Sequence, residues 1–140
     1  MTSADQVTAF LSEARTIVVG GVRKDGRAHL SPNWFLWDGE RFYISTTRDR
    51  VKYKIFRRDP RVQLLVEDAT GHRAVFVGGT VEIREDLAPE LPRFRAIKLK
   101  HGIESAADDD FLAELTAEHR VLLAITPDLP VADWTTIDLD

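Results

Sequence analysis

Seven cationic side chains lie within fourteen consecutive residues of this sequence, from Arg48 to Arg61. Only two acids, Asp49 and Asp59, fall in the same stretch, which therefore carries a local charge of +5. The other residues hold 12 Lys and Arg against 21 Asp and Glu, and the whole chain has a net charge of −4. Such segregation in a small acidic protein favours a defined anion site, although a solvated basic helix face would give the same pattern.

The basic stretch is predicted to form a helix from at least Asp49 to Arg58, which ends because a residue before proline disfavours helix. Successive residues of an α-helix rotate by about 100° about its axis. This rotation gives an apolar side, made by Val51, Ile55 and Phe56, and a basic side, made by Arg50, Lys54 and Arg57. Lys52 falls within the apolar side. An unpaired buried ammonium is costly, so Lys52 must either reach out to water or meet an anion.

The position of these cations at the start of a helix indicates what the anion is. Cations in a first helical turn oppose the helix dipole, at a cost of about 0.3–1 kcal/mol each. A bound phosphate would reverse this cost, because it meets free backbone N–H groups and the side chains together. Ser45, Thr46 and Thr47 come from the preceding strand with hydroxyls that suit the same phosphate. The alternative is that Thr47 caps the helix and the cations are solvated.

Strand patterns dominate the elements that must position this stretch. A short amphipathic helix over residues 2–14, capped by Thr2 or Ser3, precedes strands over 15–23, 28–37 and 41–47. Turns at Asp25-Gly26 and Asp38-Gly39 join these three strands. Later segments are predicted as strands over 61–68, 74–85, 120–127 and 132–139, and as helices over 88–102 and 108–119. We therefore predict a single domain, residues 1–140, built as a mainly β, six- to seven-stranded antiparallel barrel with peripheral helices.

Glycine and proline inside the predicted strands indicate a flat ligand near the basic stretch. Gly20-Gly21 and Gly78-Gly79 lie within strands, where glycine often marks a bulge or the close approach of a ligand. Pro32 suits a strand edge, and Trp34 beside it offers a broad apolar surface. Barrel curvature and ordinary core packing are the alternative explanations.

Composition excludes several other kinds of chemistry. The chain of 140 residues has no cysteine, hence no disulfide, thiolate metal site or cysteine nucleophile. Its four histidines show no metal-ligand spacing, and its serines lack a nucleophile-elbow context, so we predict no metal site and assign no catalytic residue. The negative net charge argues against nucleic-acid binding. No apolar run could cross a membrane and no leader opens the sequence, so a cytoplasmic location is expected.

Over residues 15–84 the sequence resembles the pyridoxamine 5′-phosphate oxidase-like split β-barrel family, in particular the actinobacterial branch that uses the deazaflavin coenzyme F420. The resemblance lies in DGRAHLSPNWFLWDGERFYISTTRDRVKYKIFRRDPRVQLLVED followed by VFVGGTVEI. These segments hold, in order, a D-G hairpin, a Pro-x-Trp-Phe strand, a D-G turn and a strand ending in Ser-Thr. A lysine-bearing helix, an R-R-D-P-R-V segment and a strand with a glycine follow. The resemblance implies an FMN-binding split barrel that forms a homodimer with two cofactor sites at the subunit interface.

The resemblance also implies which residues bind the cofactor and what reaction follows. The positions that hold the cofactor phosphate match Ser45, Thr46, Thr47, Arg50 and Lys52. Those beside the ring system match Pro32, Asn33 and Trp34, and the strand glycine matches Gly78. The implied reaction is hydride transfer between reduced F420 and an electron-poor small molecule. The sequence departs from the family at Lys54-Ile55-Phe56, where an Arg-Asn-Leu-like run is common, and over 87–118, which we expect to cover the site.

Two alternatives to an F420-dependent oxidoreductase stay open. One is an FMN-dependent oxidase or reductase on the same fold. The other is a non-catalytic carrier of F420, flavin or haem, because no side chain is a clear general acid or base. Arg48, Tyr53 and His101 are candidate substrate contacts.

Overall fold

The computed structural model of the protein describes residues 3–13 and 15–139. Within these residues eight strands form one sheet in which every pairing is antiparallel, and four α-helices pack around it. The strands are β1 (Ile17–Val22), β2 (Ala28–Asn33), β3 (Leu36–Trp37), β4 (Phe42–Thr47), β5 (Arg61–Glu67), β6 (Ala74–Arg84), β7 (Arg120–Pro127) and β8 (Thr135–Ile137). The helices are α1 (Ala4–Ser12), α2 (Val51–Arg58), α3 (Leu91–Leu99) and α4 (Asp108–Ala117). The predicted fold class, an antiparallel barrel with peripheral helices, is confirmed.

The order of the strands shows why the barrel is split. Their sequence across the sheet is β2-β1-β5-β6-β7-β4-β3, with β8 paired to the start of β6. β2 and β3 therefore lie at opposite ends of the order, yet only residues 34 and 35 separate them along the chain. Two residues span about 7–10 Å. The sheet must consequently curl until its two ends come close, and the gap between β2 and β3 is the split.

This gap corrects the prediction of one continuous strand over 28–37 and raises the strand count from six or seven to eight. The side chain of Phe35 is fully buried in the barrel. The carbonyl of Phe35 accepts a hydrogen bond from Nζ of Lys100, at 3.1 Å, in place of a partner strand. Pro32, just before the gap, has no N–H to donate to a ladder.

Helix α2 begins at Val51 rather than at Asp49. Arg50 has extended backbone angles, φ −76° and ψ 148°, so the helix cannot start before it. The prediction of Val51 on the buried side is also wrong, because Val51 is 43% exposed and Tyr53 is buried instead. Lys52 shares the buried side with residues three and four positions further on, as helical spacing requires. The predicted placement of Lys52 among apolar residues is thus confirmed.

Helix α1 is capped by Ser3, one of the two predicted caps. The hydroxyl of Ser3 accepts the N–H of Gln6 at 3.1 Å, and the Gln6 side chain accepts the N–H of Ser3 at 2.6 Å. This reciprocal pair is a capping box. Thr2, and Ala14 near the predicted end of the helix, lie outside the described residues.

Strands β4 and β7 bury both of their faces. Successive residues of a strand point to opposite sides. Phe42 and Ile44 point into the barrel, whose core also includes side chains of α1 and α2. Tyr43 points outward into a second core, formed with α3 and α4 and with Leu122 of β7. The outer face of β4 and β7 is thus covered by the helical segment predicted to cover the site.

Two strand glycines leave room for close packing. A Cβ atom on Gly21 would lie 2.8 Å from Cγ2 of Ile55 on α2, and one on Gly79 would lie 2.8 Å from the carbonyl oxygen of Thr126 on β7. Real Cβ atoms do not approach so closely. At Gly78 the nearest atom would be Oε1 of Gln63, the end of a flexible side chain, at 3.2 Å. Close packing against α2 and β7 therefore explains Gly21 and Gly79 without the approach of a ligand.

Gly79→Ala should lower the free energy of unfolding by about 1–3 kcal/mol, because the carbonyl of Thr126 belongs to a strand and cannot move aside. Gly78→Ala is the matched control and should cost less than about 1 kcal/mol, since the Gln63 side chain can rotate away. Urea denaturation of both variants measures the difference. Equal losses would contradict this account of Gly79.

Candidate functional site

The ammonium of Lys52 is buried without a carboxylate partner among the described residues. Lys52 is only 9% exposed, and its Nζ donates one long hydrogen bond, 3.5 Å, to the hydroxyl of Ser31. Burial lowers the pKa of Lys52, and the nearby charges of Arg50 and Arg120 lower it further. A charged group in this state is uncompensated, and a bound anion would compensate it.

Strand β2 supplies polar groups on the same side as Lys52. Ser31 lies opposite Val19, whose side chain is in the barrel core, so Ser31 faces inward at the rim. The Nδ2 of Asn33 donates to the carbonyl of Ser31 at 3.0 Å and to its hydroxyl at 3.3 Å. Asn33, a predicted site residue, therefore orients the hydroxyl that Lys52 contacts.

Strand β7 brings a cation that sequence reasoning missed. Nη1 of Arg120 donates to the hydroxyl of Ser45 at 3.4 Å, and Nε of Arg120 donates to the carboxylate of Glu118 at 2.7 Å. Arg120 is also one of the charges that lower the pKa of Lys52. Its place at the site follows from the pairing of β4 with β7, 75 residues apart in the chain, which no local motif announces.

The three predicted hydroxyls do not point in one direction. Ser45 and Thr47 face the outer side of β4, whereas Thr46 between them faces inward and is buried. The hydroxyl of Thr46 has no hydrogen-bond partner within the described part of the chain. The hydroxyl of Thr47 donates to the carboxylate of Asp49. One phosphate cannot contact all three hydroxyls from the same side of the strand.

No side chain of residues 3–13 or 15–139 caps the start of α2. The alternative in which Thr47 caps the helix is therefore wrong, because its hydroxyl is bound to Asp49 and Arg50 occupies the cap position. The first amides of α2 are thus not occupied by a side chain. An anion beside Lys52 would find both the ammonium and the positive end of the helix dipole.

Four of the seven basic side chains have structural partners. Arg48 pairs with Glu85, Arg57 with the hydroxyl of Tyr53, Arg58 with the carbonyl of Val22, and Arg61 with Asp59. The hydroxyl of Tyr53 also donates to Glu85 at 2.7 Å, and this bond, helped by Arg48, lowers the pKa of Glu85. Arg48 and Tyr53, two candidate substrate contacts, therefore both bind the carboxylate of Glu85. Of the other three cations, Lys52 has only its long contact with Ser31, and Arg50 and Lys54 have no side-chain partner within the described residues.

Trp34 is held in a fixed orientation at the split. Its ring stacks on the imidazole of His101, with centroids 3.9 Å apart and planes 10° from parallel. Burial lowers the pKa of His101, and the neighbouring Lys100 lowers it further. Nζ of Lys100 donates to the carbonyls of Leu11 and Phe35, and burial lowers the pKa of Lys100 to about 8. These contacts fasten the end of α3 to the residue that follows Trp34.

A cavity of about 240 Å³ lies between α3, α4 and the outer face of β4 and β7. Its walls combine aromatic, aliphatic and charged side chains: Trp34, Ser45, Phe94, Ile97, Lys98, Phe111, Glu114, Leu115, Glu118 and Arg120. Sequence reasoning assigned only Trp34 and Ser45 of these to the site. The others come from the helical segment and from β7, whose positions depend on tertiary packing.

The structure separates Pro32 and Gly78 from the other predicted site residues. Pro32 pairs with Val18, one position away from the inward-facing Ser31, and so it lies on the outer face of β2. Gly78 lies on β6, and β1 and β5 stand between β6 and β2. Asn33, Ser45, Arg50 and Lys52 are linked through Ser31 and Arg120, and Trp34 shares a cavity with Ser45.

Among residues 3–13 and 15–139, no group of three or more His, Asp and Glu side chains is placed so that it could hold a metal ion. None of the helices in the same residues combines the length and the apolar character that a membrane crossing requires.

Comparison with known proteins places this geometry in context. A profile of the family described as pyridoxamine 5′-phosphate oxidase matches residues 3–128. A conserved hypothetical protein from Mycobacterium tuberculosis superimposes with a TM-score of 0.83 at 22% identity, covering 99% of this chain and 86% of that one. A structure named F420 reductase superimposes with a TM-score of 0.68 at 25% identity, covering 86% of this chain and 92% of that one. An FAD-binding protein from Mesorhizobium loti gives 0.64 at 25% identity, with 91% of each chain covered.

Lys52→Met should raise the free energy of unfolding at pH 7 by about 0.5–2 kcal/mol in a buffer without phosphate or sulfate. The variant keeps most of the side-chain volume and removes the uncompensated ammonium. Inorganic phosphate should raise the melting temperature of the wild type and not that of the variant. Chemical and thermal denaturation measure the two effects.

Lys54→Met is the matched control, because Lys54 is exposed on the same helix, and its stability should stay within about 0.5 kcal/mol of wild type. The difference in free energy of unfolding between Lys52→Met and wild type should become smaller as the pH rises toward 10.5, the ordinary pKa of lysine. Over that range the unfolded wild type binds more protons than the folded one, so wild-type stability increases with pH. If Lys52→Met were less stable than wild type at pH 7, the charge of Lys52 would have to be compensated by another group of the chain.

Proposed function

Because this chain belongs to the pyridoxamine 5′-phosphate oxidase family, we propose that it is an oxidoreductase that binds coenzyme F420 at the interface of a homodimer. Hydride would pass between the reduced cofactor and an electron-poor small molecule. The family follows from the profile match over residues 3–128. The cofactor, the dimer and the reaction are proposals supported by the arguments below.

The observation that carries this proposal is the uncompensated ammonium of Lys52. Lys52 is 9% exposed, lies close to Arg50 and Arg120, and has no carboxylate partner in the described part of the chain. Such a side chain is stable only if its charge is compensated or its proton is lost. A cofactor phosphate would supply the missing negative charge. The same phosphate would reach the uncapped first turn of α2.

The residues present fit such a cofactor. Lys52 and Arg50 would hold the phosphate, with Arg120 as a third cation, and Ser31 and Ser45 would donate hydroxyl contacts. Asn33 would keep the Ser31 hydroxyl in place, and Trp34 would lie beside the ring system. When bound, a reduced deazaflavin supplies a hydride, and the acceptor takes up this hydride together with one proton from solvent.

The surrounding chain would position the reactants and limit the access of water. Helices α3 and α4 cover the outer face of β4 and β7 with a mainly apolar layer, which includes Phe94 and Phe111. The stacking of Trp34 on His101 fixes one wall of the space next to Ser45. A rigid wall keeps a flat molecule in one orientation, which is the contribution a protein makes to hydride transfer between two bound rings.

F420 is preferred to FMN because the similar structures include one named F420 reductase. An FAD-binding protein is similar to the same degree, so FMN is the alternative cofactor that an experiment must include. Both cofactors carry a phosphate on a sugar-alcohol chain, and the cations around Lys52 suit either one. The acidic tail of F420 adds negative charge that FMN lacks.

The proposed dimer would use the outer face of β1, β2 and β5. Leu30 on β2 is 67% exposed, and it lies opposite Gly20 on this face, next to Val22 and Ala28. An apolar side chain so exposed on a flat, glycine-containing surface is typical of a protein contact. Pro32 and Gly78, which the resemblance assigns to the cofactor site, lie on outward-facing strand positions as well. A second subunit on this face would bring them into a shared site.

Titration of the purified protein with F420, followed by deazaflavin fluorescence, should show saturable binding, and FMN should bind at least about tenfold more weakly, a difference of about 1.4 kcal/mol. Lys52→Ala should weaken F420 binding at least about tenfold, because a charge-assisted contact is lost. Added salt should weaken binding, since charges supply much of the attraction.

Lys54→Ala is the control on the same helix and should change F420 affinity less than about twofold. Equal affinities for the two variants would contradict the inward role of Lys52. Tighter binding of FMN, or a yellow protein on purification, would establish the FMN alternative. Binding of reduced F420 without its oxidation by any of a panel of enones, quinones and nitro compounds would establish a carrier.

Leu30→Asp should convert the protein from a dimer to a monomer at micromolar concentration, because a carboxylate would be placed in an apolar contact. Light scattering after size exclusion measures the mass. Leu99→Asp is the control, since Leu99 is 62% exposed on α3, away from this face. A Leu30→Asp variant that stays dimeric would show that the interface lies elsewhere, and a monomeric wild type would contradict the dimer itself.

A further inference from the structure

We propose that His29 is a further ligand of the oxyanion that Lys52 binds, and that this anion enters the site together with a proton, which the imidazole of His29 takes up. The proton uptake rests on the proposed function, because it requires an anion at Lys52. The resemblance assigns no role to His29. Neither F420 nor a second subunit is needed for the uptake, so a simple anion is enough to test it.

Strand pairing places His29 on the side of β2 that carries the other groups around Lys52. His29 lies opposite Gly21 on β1, and Ser31 lies two residues further along β2. Since alternate residues of a strand share a face, His29 and Ser31 are on the same side of β2. A Cβ atom on Gly21 would lie 2.8 Å from Cγ2 of Ile55, so α2 crosses this face beside the position of His29. His29 is therefore on the face that packs against the helix of Lys52.

The imidazole of His29 is available to a ligand. Its side chain is half-buried, and it makes no hydrogen bond to any residue of the ranges 3–13 and 15–139. The ammonium of Lys52 is similar, because its single contact is the 3.5 Å hydrogen bond to Ser31. A histidine and a lysine on one face of the rim thus both have hydrogen-bond capacity that these residues leave unused. An oxyanion between them would accept from both.

The charged groups around His29 are mainly cations, and they come from every element that packs against it. They are Arg23 just beyond the end of β1, Arg27 in the β1–β2 turn, and Lys52 and Arg58 on α2. The carboxylate of the same turn, Asp25, is paired with Arg27. Burial lowers the pKa of His29 below its ordinary value of 6.5, and Arg23 and Lys52 lower it further. His29 is therefore neutral at pH 7 unless an anion is bound.

An anion at Lys52 changes this balance of charge. Its negative charge offsets the repulsion from Arg23 and Lys52, and it accepts a hydrogen bond from the protonated imidazole, so both effects raise the pKa of His29. Because linkage is reciprocal, an anion that favours protonation of His29 must bind more tightly when His29 is protonated. Affinity for the anion should therefore increase as the pH falls through the range in which His29 titrates.

The test is calorimetric titration with sulfate, a dianion whose own charge is constant between pH 5.5 and pH 8. Sulfate affinity of the wild type should rise at least about fivefold from pH 8 to pH 5.5. In His29→Gln, which stays polar but cannot take up a proton, it should change less than about twofold over the same range. His72→Gln is the matched control and should behave as the wild type does, because His72 is exposed in the β5–β6 turn.

Nuclear magnetic resonance of the imidazole Cε1–H signals adds a readout that a purely structural role of His29 would not change. In the wild type, sulfate should move the titration of His29 to higher pH and leave that of His72 unchanged. This measurement needs no variant, so it also serves if His29→Gln does not fold.

Three results would overturn the proposal: no binding of sulfate by the wild type, an unchanged pH dependence in His29→Gln, or a titration of His29 that sulfate does not move. F420 titration of the wild type separates this proposal from the proposed function. Binding of F420 together with a sulfate affinity that does not depend on pH would refute the role of His29 alone. The expected response to sulfate without any binding of F420 would refute the proposed cofactor and support the role of His29.

Discussion

The candidate site depends on one buried charge for which the described residues provide no carboxylate partner. Lys52 is placed on the inner side of α2 by helical spacing, since Ile55 and Phe56 anchor the same side in the barrel core. Arg50 and Arg120 increase the cost of its charge rather than reduce it. Most cations of the basic stretch have a structural partner, so a ligand explains only part of the accumulation of charge. The partnered cations connect α2 and its flanking residues to β1, β5 and the end of β6, through contacts with Val22, Asp59 and Glu85.

Strands β4 and β7 connect the surroundings of Lys52 to the rest of the molecule, because side chains pack against both of their faces. The inner face completes the barrel core, and the outer face supports α3 and α4. Arg120 stands at the end of β7 where these two environments meet, within reach of Ser45 and close enough to affect Lys52. A protein of 140 residues thereby has a packed core on one side of a strand pair and a cavity on the other.

Local sequence signals predicted most of the fold. Asp25-Gly26 and Asp38-Gly39 mark turns where both glycines have positive φ, and the helix predicted over 108–119 forms as α4. The gap between β2 and β3 could not be predicted, because it depends on Lys100, 65 residues away from Phe35. Arg120 was missed for the same reason, since only strand pairing brings it to Ser45. The divergence of Ser45, Thr46 and Thr47 is different, because the alternation of side chains along a strand by itself implies that neighbouring hydroxyls point to opposite sides.

The two hydrogen bonds that Lys100 donates to backbone carbonyls attach the end of α3 to the barrel. One ammonium joins carbonyls that lie 89 and 65 residues earlier in the chain, at Leu11 and Phe35. Contacts between residues so far apart in the chain contribute to slow folding. The attachment of α3 depends on two segments that only the folded barrel brings together, and a change that displaces Leu11 or Phe35 would therefore also release the end of α3.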